Sequence, residues 1–417
     1  MKFRNGDLMN NNQNKDNSKH LYGFLGLHLF VYSIFNLGHP VTPQFIININ
    51  APIFMTGLLF AVMSLAQFTF APFWGQLADK FGTKIMFIGP LGYCLGQLGF
   101  FFFSDPLLLI LFRFLAGTFA AITNTVHFAY ISEMTNNNNR SKFLGFATLI
   151  IPIGVFIGYI AGGYVGDLFN PRFSFLLQSI LAILAALALY FYVKAPRVSQ
   201  RVSLRSIKFN IIKEDYIILK RNNDTCLKFI LLVTFLNIMA YQLAISQVAV
   251  ILANQFSFKT TFVGLFIAFF NLFGGLTSFG LQKVLFRSKR ALHTYLPYLS
   301  LLSVGCSLLA SLVIFFNPSL MWIGLMLATL LNTVFLATVQ DLLVKIDFHH
   351  ELGALVGLNQ AVQGLGMVAG AFLGGILVSF YIFSPLVASA LVFFITFIIN
   401  RFVVRKQINL SLSKVNS

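Results

Sequence analysis

Few residues of this 417-residue chain could carry a proton or a charge away from water, and those few lie in apolar surroundings. His28, His39 and His127 fall inside long apolar runs, as does Arg113. No Asp or Glu occupies the middle of any run: Asp105 and Asp167 stand beyond run ends and Asp341 at the end of one. Imidazole exchanges a proton near neutral pH. His28, the deepest, is therefore a candidate coupling residue, with a hydrogen-bonded structural histidine as the alternative. One proton moved through about 100 mV supplies about 2.3 kcal/mol, or about fifty-fold accumulation at 1.4 kcal/mol per decade. Arg113 lies roughly 9 Å into its run at about 1.5 Å per residue. A charge there costs about 2.5–3.5 kcal/mol unless it is partnered or wetted, which makes it a functional candidate. The other reading is an arginine that snorkels to Asp105 or to lipid headgroups.

Neutral polar residues form stripes on the elements that hold these groups. The first run carries His28, Tyr32, Asn36 and His39 at spacings of four, four and three, which share one helical face. The fourth carries Arg113, Gly117, Asn124 and His127, the seventh Thr234, Asn237 and Tyr241, and the tenth Thr329, Asn332 and Gln340. The third, sixth and twelfth runs are nearly free of midplane polar residues apart from Gln97, Gln178 and Ser179. Four stripes turned inward, with Gln67 from the second run, would line a wet central path. For any single stripe residue, a hydrogen bond between helices is an equal alternative. Phe24, Phe30, Phe35, Phe235, Phe269, Phe270 and Phe335 could add an aromatic wall, although most of the 50 Phe must face lipid or pack.

The positioning elements follow from composition. The chain is 57% hydrophobic and 10% charged with mean hydropathy +0.81, against about 25% charged in soluble domains. Apolar runs long enough to cross a core of about 30 Å lie at 21–39, 52–73, 85–103, 107–131, 143–165, 172–193, 229–252, 260–282, 294–316, 318–340, 353–379 and 382–400. These predict an all-α membrane protein of twelve transmembrane helices. With the amino terminus inside, 26 of the 29 Lys and Arg fall on the inner side, so both termini are expected in the cytoplasm. The net charge of +17 then reflects topology, and nucleic-acid binding is not expected. The expected divisions are a disordered cytoplasmic tail (1–20), a six-helix half (21–193), a cytoplasmic linker (194–228), a second half (229–402) and a cytoplasmic tail (403–417). The run Arg201–Phe209 reads as a solvated linker or as an amphipathic helix on anionic lipid. The three cysteines form no disulfide framework, no cleaved signal is read, and no metal or cofactor motif is present.

An internal repeat supports two halves. Gly145, Gly154, Gly158, Gly162 and Gly163 recur as Gly357, Gly366, Gly370, Gly374 and Gly375, each displaced by 212 residues. Small residues at such spacing let helices pack backbone to backbone, here expected at the seam between halves.

Between the second and third runs, Gly75-Gln76-Leu77-Ala78-Asp79-Lys80-Phe81-Gly82-Thr83-Lys84 reads as a polar hairpin with turns at Gly75 and Gly82. It resembles the loop signature of the major facilitator superfamily. Other stretches also resemble that family: Arg113-Phe-Leu-Ala-Gly117, then Ala129-Tyr-Ile-Ser-Glu133-Met-Thr with Arg140 and Gly145, Met55 through Gly75, and Pro40-x-x-Pro43. The fifth-helix glycines resemble its drug antiporters, except that Tyr159 stands where those have proline. Gly280 through Lys289 echoes the loop signature without its acid. The resemblance implies two pseudo-symmetric six-helix halves rocking about a central site. It implies a gate and coupling set of Gly75, Asp79, Lys80, Gly82, Lys84, Arg113, Gly117, Glu133 and Arg140, with Glu133 and Arg140 free to pair with Asp79, Lys80 or Lys84 in an outward-open state; the buried carboxylate that many of its proton-coupled antiporters use is missing, and His28 joins the coupling set on its depth alone. It also implies a plasma-membrane, monomeric, proton-coupled exporter of amphiphilic small molecules. Two alternatives stay open: a uniporter or importer of a neutral sugar, metabolite or lipid headgroup, which suits stripes without a buried acid, and, remotely, a membrane sensor or enzyme.

Overall fold

The computed structural model describes residues 3–194, 225–287, 295–311, 318–345 and 352–404, and every regular element among them is helical. The linker segment 195–224, including the Arg201–Phe209 run, and the end of the signature echo beyond 287 lie outside the described residues, as do 405–417.

The first half consists of α1 (Phe3–Asn36), the short α2 (Thr42–Asn48), α3 (Met55–Phe81), α4 (Ile88–Phe102), α5 (Pro106–Met134), α6 (Asn137–Leu168) and α7 (Pro171–Tyr192). The second consists of α8 (Thr225–Ile245), the short α9 (Val248–Gln255), α10 (Thr260–Arg287), α11 (Leu296–Ser311), α12 (Pro318–Lys345), α13 (Leu352–Phe380) and α14 (Ser384–Ile399). Ten stretches are long and apolar enough to span a membrane, one of them joining α8 to α9, and α1 and the shorter apolar α11 complete twelve.

Three boundaries differ from the expectation. α1 starts at Phe3, so the backbone of the segment expected to be disordered is helical; no proline precedes Pro40 to interrupt its hydrogen-bond ladder. α3 runs on through Phe81, which places Gly75 inside a helix rather than in a turn. The chain reverses only at Gly82, whose φ of 82° suits glycine, before a 3-10 turn over Thr83–Phe87. The seventh run is broken at Ser246 and Gln247, and Gln247 donates to the Ser246 hydroxyl at 3.0 Å. Helix starts elsewhere follow local chemistry. Asp105 accepts from the backbone N–H groups of Leu107 and Leu108 ahead of Pro106, and Asn170 caps α7 ahead of Pro171.

The halves repeat one packing plan. In the first, α1 lies on α6 and α7, α3 and α4 lie on α5, and α4 lies on α7. In the second, α8 lies on α13 and α14, α10 and α11 lie on α12, and α11 lies on α14. The seam between halves is made by α6 against α10 and α3 against α13.

The glycine repeat explains both sets of contacts. A Cβ on Gly154, Gly158 or Gly162 would run into the backbone or Cβ atoms of α1 and Leu37, in the last case 1.7 Å from the Leu37 carbonyl. One on Gly366, Gly370 or Gly374 would meet α8 in the same way. These six therefore pack within their halves, whereas the whole set was expected at the seam. Only the last of each series crosses it: Gly163 faces Thr260 and Gly375 faces Gly57. The helical period separates them, since residues 154, 158 and 162 share a face and 163 is turned about 100° away.

Candidate functional site

Between the halves lies a cavity of about 500 Å³. Its walls include Tyr32 and Asn36 from α1, His39 from the turn after it, Phe60 and Gln67 from α3, Asn124 from α5, Tyr159 from α6, Tyr241, Gln242 and Ser246 around the α8 break, and Asn271 from α10. Two clefts adjoin it. One, of about 310 Å³, runs between α3 and α13 and shares Gln67 and Asn124. The other, of about 510 Å³, runs between α6 and α10 with α12 and shares Asn271. Both lead toward the end of the bundle that carries the Gly82 turn, called here the signature face. On that side Gly145, Gly280 and Gly357 have nothing within 4 Å of where a Cβ would stand.

At the opposite face the halves touch. Asp167, at the end of α6, accepts the backbone N–H of Thr260 at 2.8 Å on one carboxylate oxygen and that of Thr261 at 2.8 Å on the other. The Thr260 hydroxyl sits 2.6 Å from Asp167 and 2.8 Å from the Gly163 carbonyl and donates to one of them. A carboxylate of one half thus caps the first helix N-terminus at the seam of the other, where the helix dipole favours negative charge. The Thr56 hydroxyl lies 3.4 Å from the Gln247 side-chain carbonyl, within reach of a second tie between the halves. The cavity is closed at this face and reaches toward the other.

Arg113 sits behind the cavity wall with 1% of its surface exposed. One of its terminal nitrogens donates to His39 Nδ1 at 3.3 Å, so the His39 proton resides on Nε2. The guanidinium also lies over the rings of Phe60 and Phe100, 5.8 and 5.6 Å from their centroids. His39 stacks on Phe60 and faces Tyr159. Arg113 therefore turns to the segment after α1 and to the cavity rather than to Asp105, which is occupied in capping α5.

About three to four helical turns toward the signature face, the Nδ1 atoms of His28 and His127 lie 2.8 Å apart in a fully buried pair. The Nε2 of each is buried with no partner at full hydrogen-bond geometry, although the Ala147 backbone of α6 lies near the His28 ring. Tyr32 links this pair to the cavity: its ring packs on His28, and its hydroxyl donates to the Asn124 side-chain carbonyl in a very short hydrogen bond. On the other side, His20 hydrogen-bonds Tyr130 at 2.7 Å and stacks on Tyr192. Partial burial and the nearby Lys194 ammonium lower the proton affinity of His20 from its ordinary 6.5.

At the signature face the expected charges have other partners in this state. Glu133 accepts from Thr83 at 3.1 Å, Arg140 donates to the Ser132 carbonyl at 3.3 Å, and Lys84 lies over the Tyr190 ring. Lys80 lies over the neighbouring Phe81 ring. Gly75 faces Thr125 of α5, and Gly117 brings α5 onto the Met63 backbone of α3.

Of the expected cavity residues, Tyr32, Asn36, His39, Gln67, Asn124 and Tyr241 are in the wall. Five expected there are elsewhere. Asn237 donates to Asn332 at 2.8 Å inside the second half, Thr234 bonds its own helix at Ile230, and Gln340 is exposed toward the signature face. A polar stripe is wide enough that part of it serves the contact between α8 and α12 instead. His127 lies one layer behind the wall. Tyr159, Gln242 and Asn271 are wall residues outside the expected set. Asn271 is the lone amide near the middle of its apolar run, and Gln242 lies five residues after Asn237, so the signal was present. For Tyr159 the sequence shows only a departure from the family's proline.

A family model described as Major Facilitator Superfamily matches residues 24–346. Among curated proteins, Multidrug resistance protein 2 of Bacillus subtilis (strain 168) is 27% identical over 373 residues, which cover 87% of each chain. Tetracycline resistance protein, class H, of Pasteurella multocida is 33% identical over 138 residues, a third of each. Among solved structures, an inward-facing, occupied bacterial homolog of the human lysosomal transporter Spinster superposes with a TM-score of 0.76 at 13% identity, covering 94% of this chain and 98% of that one.

Proposed function

The chain belongs to the Major Facilitator Superfamily, and from that premise we propose that it exports amphiphilic small molecules across the plasma membrane in exchange for protons. The observation that carries the reading is the cavity of about 500 Å³ at the meeting of the halves, whose wall joins aromatic faces (Tyr32, Phe60, Tyr159, Tyr241) to uncharged amides (Asn36, Gln67, Asn124, Gln242, Asn271). Such a surface takes flat, partly apolar solutes without demanding one hydrogen-bond pattern. The drug-resistance names of the relatives point the same way.

Transport proceeds by rocking the halves about the cavity. With the basic signature face in the cytoplasm, the arrangement described is the inward-open one, held by the Asp167 cap at the outer face. In the outward-open arrangement, Asp79, Lys80, Lys84, Glu133 and Arg140 exchange their present partners for one another and latch the inner face, with Gly75 and Gly82 allowing the close approach. Arg113 and His39 tune the cavity from behind Phe60. The monomer contains the whole pathway, and both termini lie inside.

A wall with amides and no carboxylate also suits a neutral polyhydroxy solute, which keeps a sugar or metabolite uniporter as the second reading. The test is purified protein in liposomes enclosing a pH-sensitive dye, given ethidium or tetracycline, and separately a sugar panel. Exchange predicts that either amphiphile dissipates an imposed pH gradient in wild type and that Asp79→Asn, with its latch weakened, does so far more slowly. Equilibration of a sugar with no proton movement would establish the uniporter instead.

A further inference from the structure

We propose that His28 and His127 form one shared proton-binding site, the pair itself rather than either imidazole, and that this site carries the coupled proton. The inference rests on the proton-exchange reading above and assigns the group that performs it. The geometry supports it in three ways. The two rings meet nitrogen to nitrogen, with Nδ1 atoms 2.8 Å apart. Neither outer nitrogen meets a partner at full hydrogen-bond geometry, and while the Ala147 backbone lies near the His28 ring, the buried His127 Nε2 offers a position for an added proton that no structural hydrogen bond occupies. The pair belongs to one half only. Gly158 seats on Ser33 and Asn36 as Gly370 seats on Met239 and Gln242, which places Thr234 in the position of His28, and Thr234 bonds only its own helix.

The proton count follows from the contact. In the neutral pair, one ring holds its hydrogen on Nδ1 and donates it, while the other accepts on Nδ1 and holds its hydrogen on Nε2. A proton arriving from water attaches to the bare Nε2 of the donor ring. That ring becomes an imidazolium whose Nδ1–H still donates to its neighbour, now in a charge-assisted bond. A second proton would set N–H against N–H, so the intact pair takes one. Uptake occurs while the cavity faces outward and release while it faces the signature face, where both rings are neutral and substrate enters. The Tyr32 ring against His28 and its hydroxyl on Asn124 join the pair to the cavity, so a solute displacing Asn124 or Tyr32 acts directly on the pair.

The charged and titratable groups on the packed elements lie to either side of the pair. Toward the signature face are His20 on α1, Tyr130 and Glu133 on α5, Asp79 and Lys80 on α3, Lys142 on α6, and Tyr192 with Lys194 at the end of α7. Toward the opposite face are Arg113 and His39. Phe24 lies between the pair and Tyr130, which separates the site from the His20 contact.

Two measurements test the assignment. The first compares ethidium-driven proton movement in proteoliposomes for wild type, His28→Gln and His127→Gln, expressed as protons moved per ethidium. Both variants are expected to lower that ratio about tenfold, within the range of a coupling interaction. An undiminished ratio in either overturns the shared site while leaving the exporter reading intact; a wild type that moves ethidium without protons overturns both. The second uses wild type in nanodiscs with 15N-labelled histidine and needs no variant to fold. The two imidazoles are expected to titrate together as a single one-proton step. Independent titrations, or none, overturn the proposal.

Discussion

Arg113 shows how a buried cation is kept without a carboxylate beside it. A neutral imidazole accepts from it and two aromatic faces lie against it, so its charge stays aimed at the cavity side. The sequence made this residue conspicuous, because a charge inside an apolar run has few bland explanations. It did not indicate His39 as the partner, since the distance between α1 and α5 depends on the rotation of both helices. The same holds for His28, whose depth was evident and whose contact with His127 was not. His20 gives a residue-scale prediction outside the membrane-spanning part. Its proton affinity in the folded protein is below the ordinary 6.5, so the unfolded chain binds more protons once pH falls through that value. The contribution of neutral His20 to stability is present above pH 6.5 and declines as pH drops below it. The melting temperature of detergent-solubilised protein should therefore fall between pH 7 and pH 5.5, and His20→Gln should flatten that part of the profile.

At the scale of elements, the glycine repeat divides into rows with different duties, which sets different outcomes for similar changes. Gly158→Val inserts a side chain 2.3 Å from the Ser33 carbonyl, where the helix backbone cannot yield. Overpacking of this kind costs about 1–3 kcal/mol or more, and the variant should show a lowered melting temperature and poor yield. Gly145→Ala meets nothing within 4 Å and should leave the melting temperature unchanged. Equal loss in both would mean that the rows are not distinct. The repeat itself was legible, because five coincident spacings need no structure to be seen. The direction each glycine faces was not, since assigning the row to the seam required knowing which side of α6 meets α1. Likewise, the break between α8 and α9 is marked only by the polar pair Ser246-Gln247, which a continuous helix also tolerates, and the polar residues that extend α3 suit a loop as well as a helix end.

For the whole molecule, the two faces differ in how they are held. The opposite face is tied by a few hydrogen bonds centred on one carboxylate, while the signature face is open around the cavity mouth. Cys94, Cys226 and Cys306 are all buried, so introduced cysteines can be read against a quiet background. Thr148→Cys and Gln360→Cys, in the clefts at the mouth, should react with a membrane-impermeant thiol reagent supplied to the signature face. Thr56→Cys, 1% exposed at the tied face, should react slowly from either side. Adding Asp167→Asn to Thr56→Cys should raise its labelling about tenfold, the population shift that about 1.4 kcal/mol brings; no change would mean that the carboxylate is not what holds that face. The two-half architecture and the membrane class were written in composition and repeat, whereas the conformational state was not, because it depends on contacts between residues about a hundred positions apart, such as Asp167 and Thr260. The division of the glycines also bears on the order in which the molecule can be made. Everything that Gly154, Gly158 and Gly162 seat upon has already left the ribosome when they emerge, whereas the seat of Gly163 lies at Thr260, nearly a hundred residues later in synthesis. The first six helices can thus assemble during translation as a finished unit, its outward row left vacant until the second half arrives to occupy it.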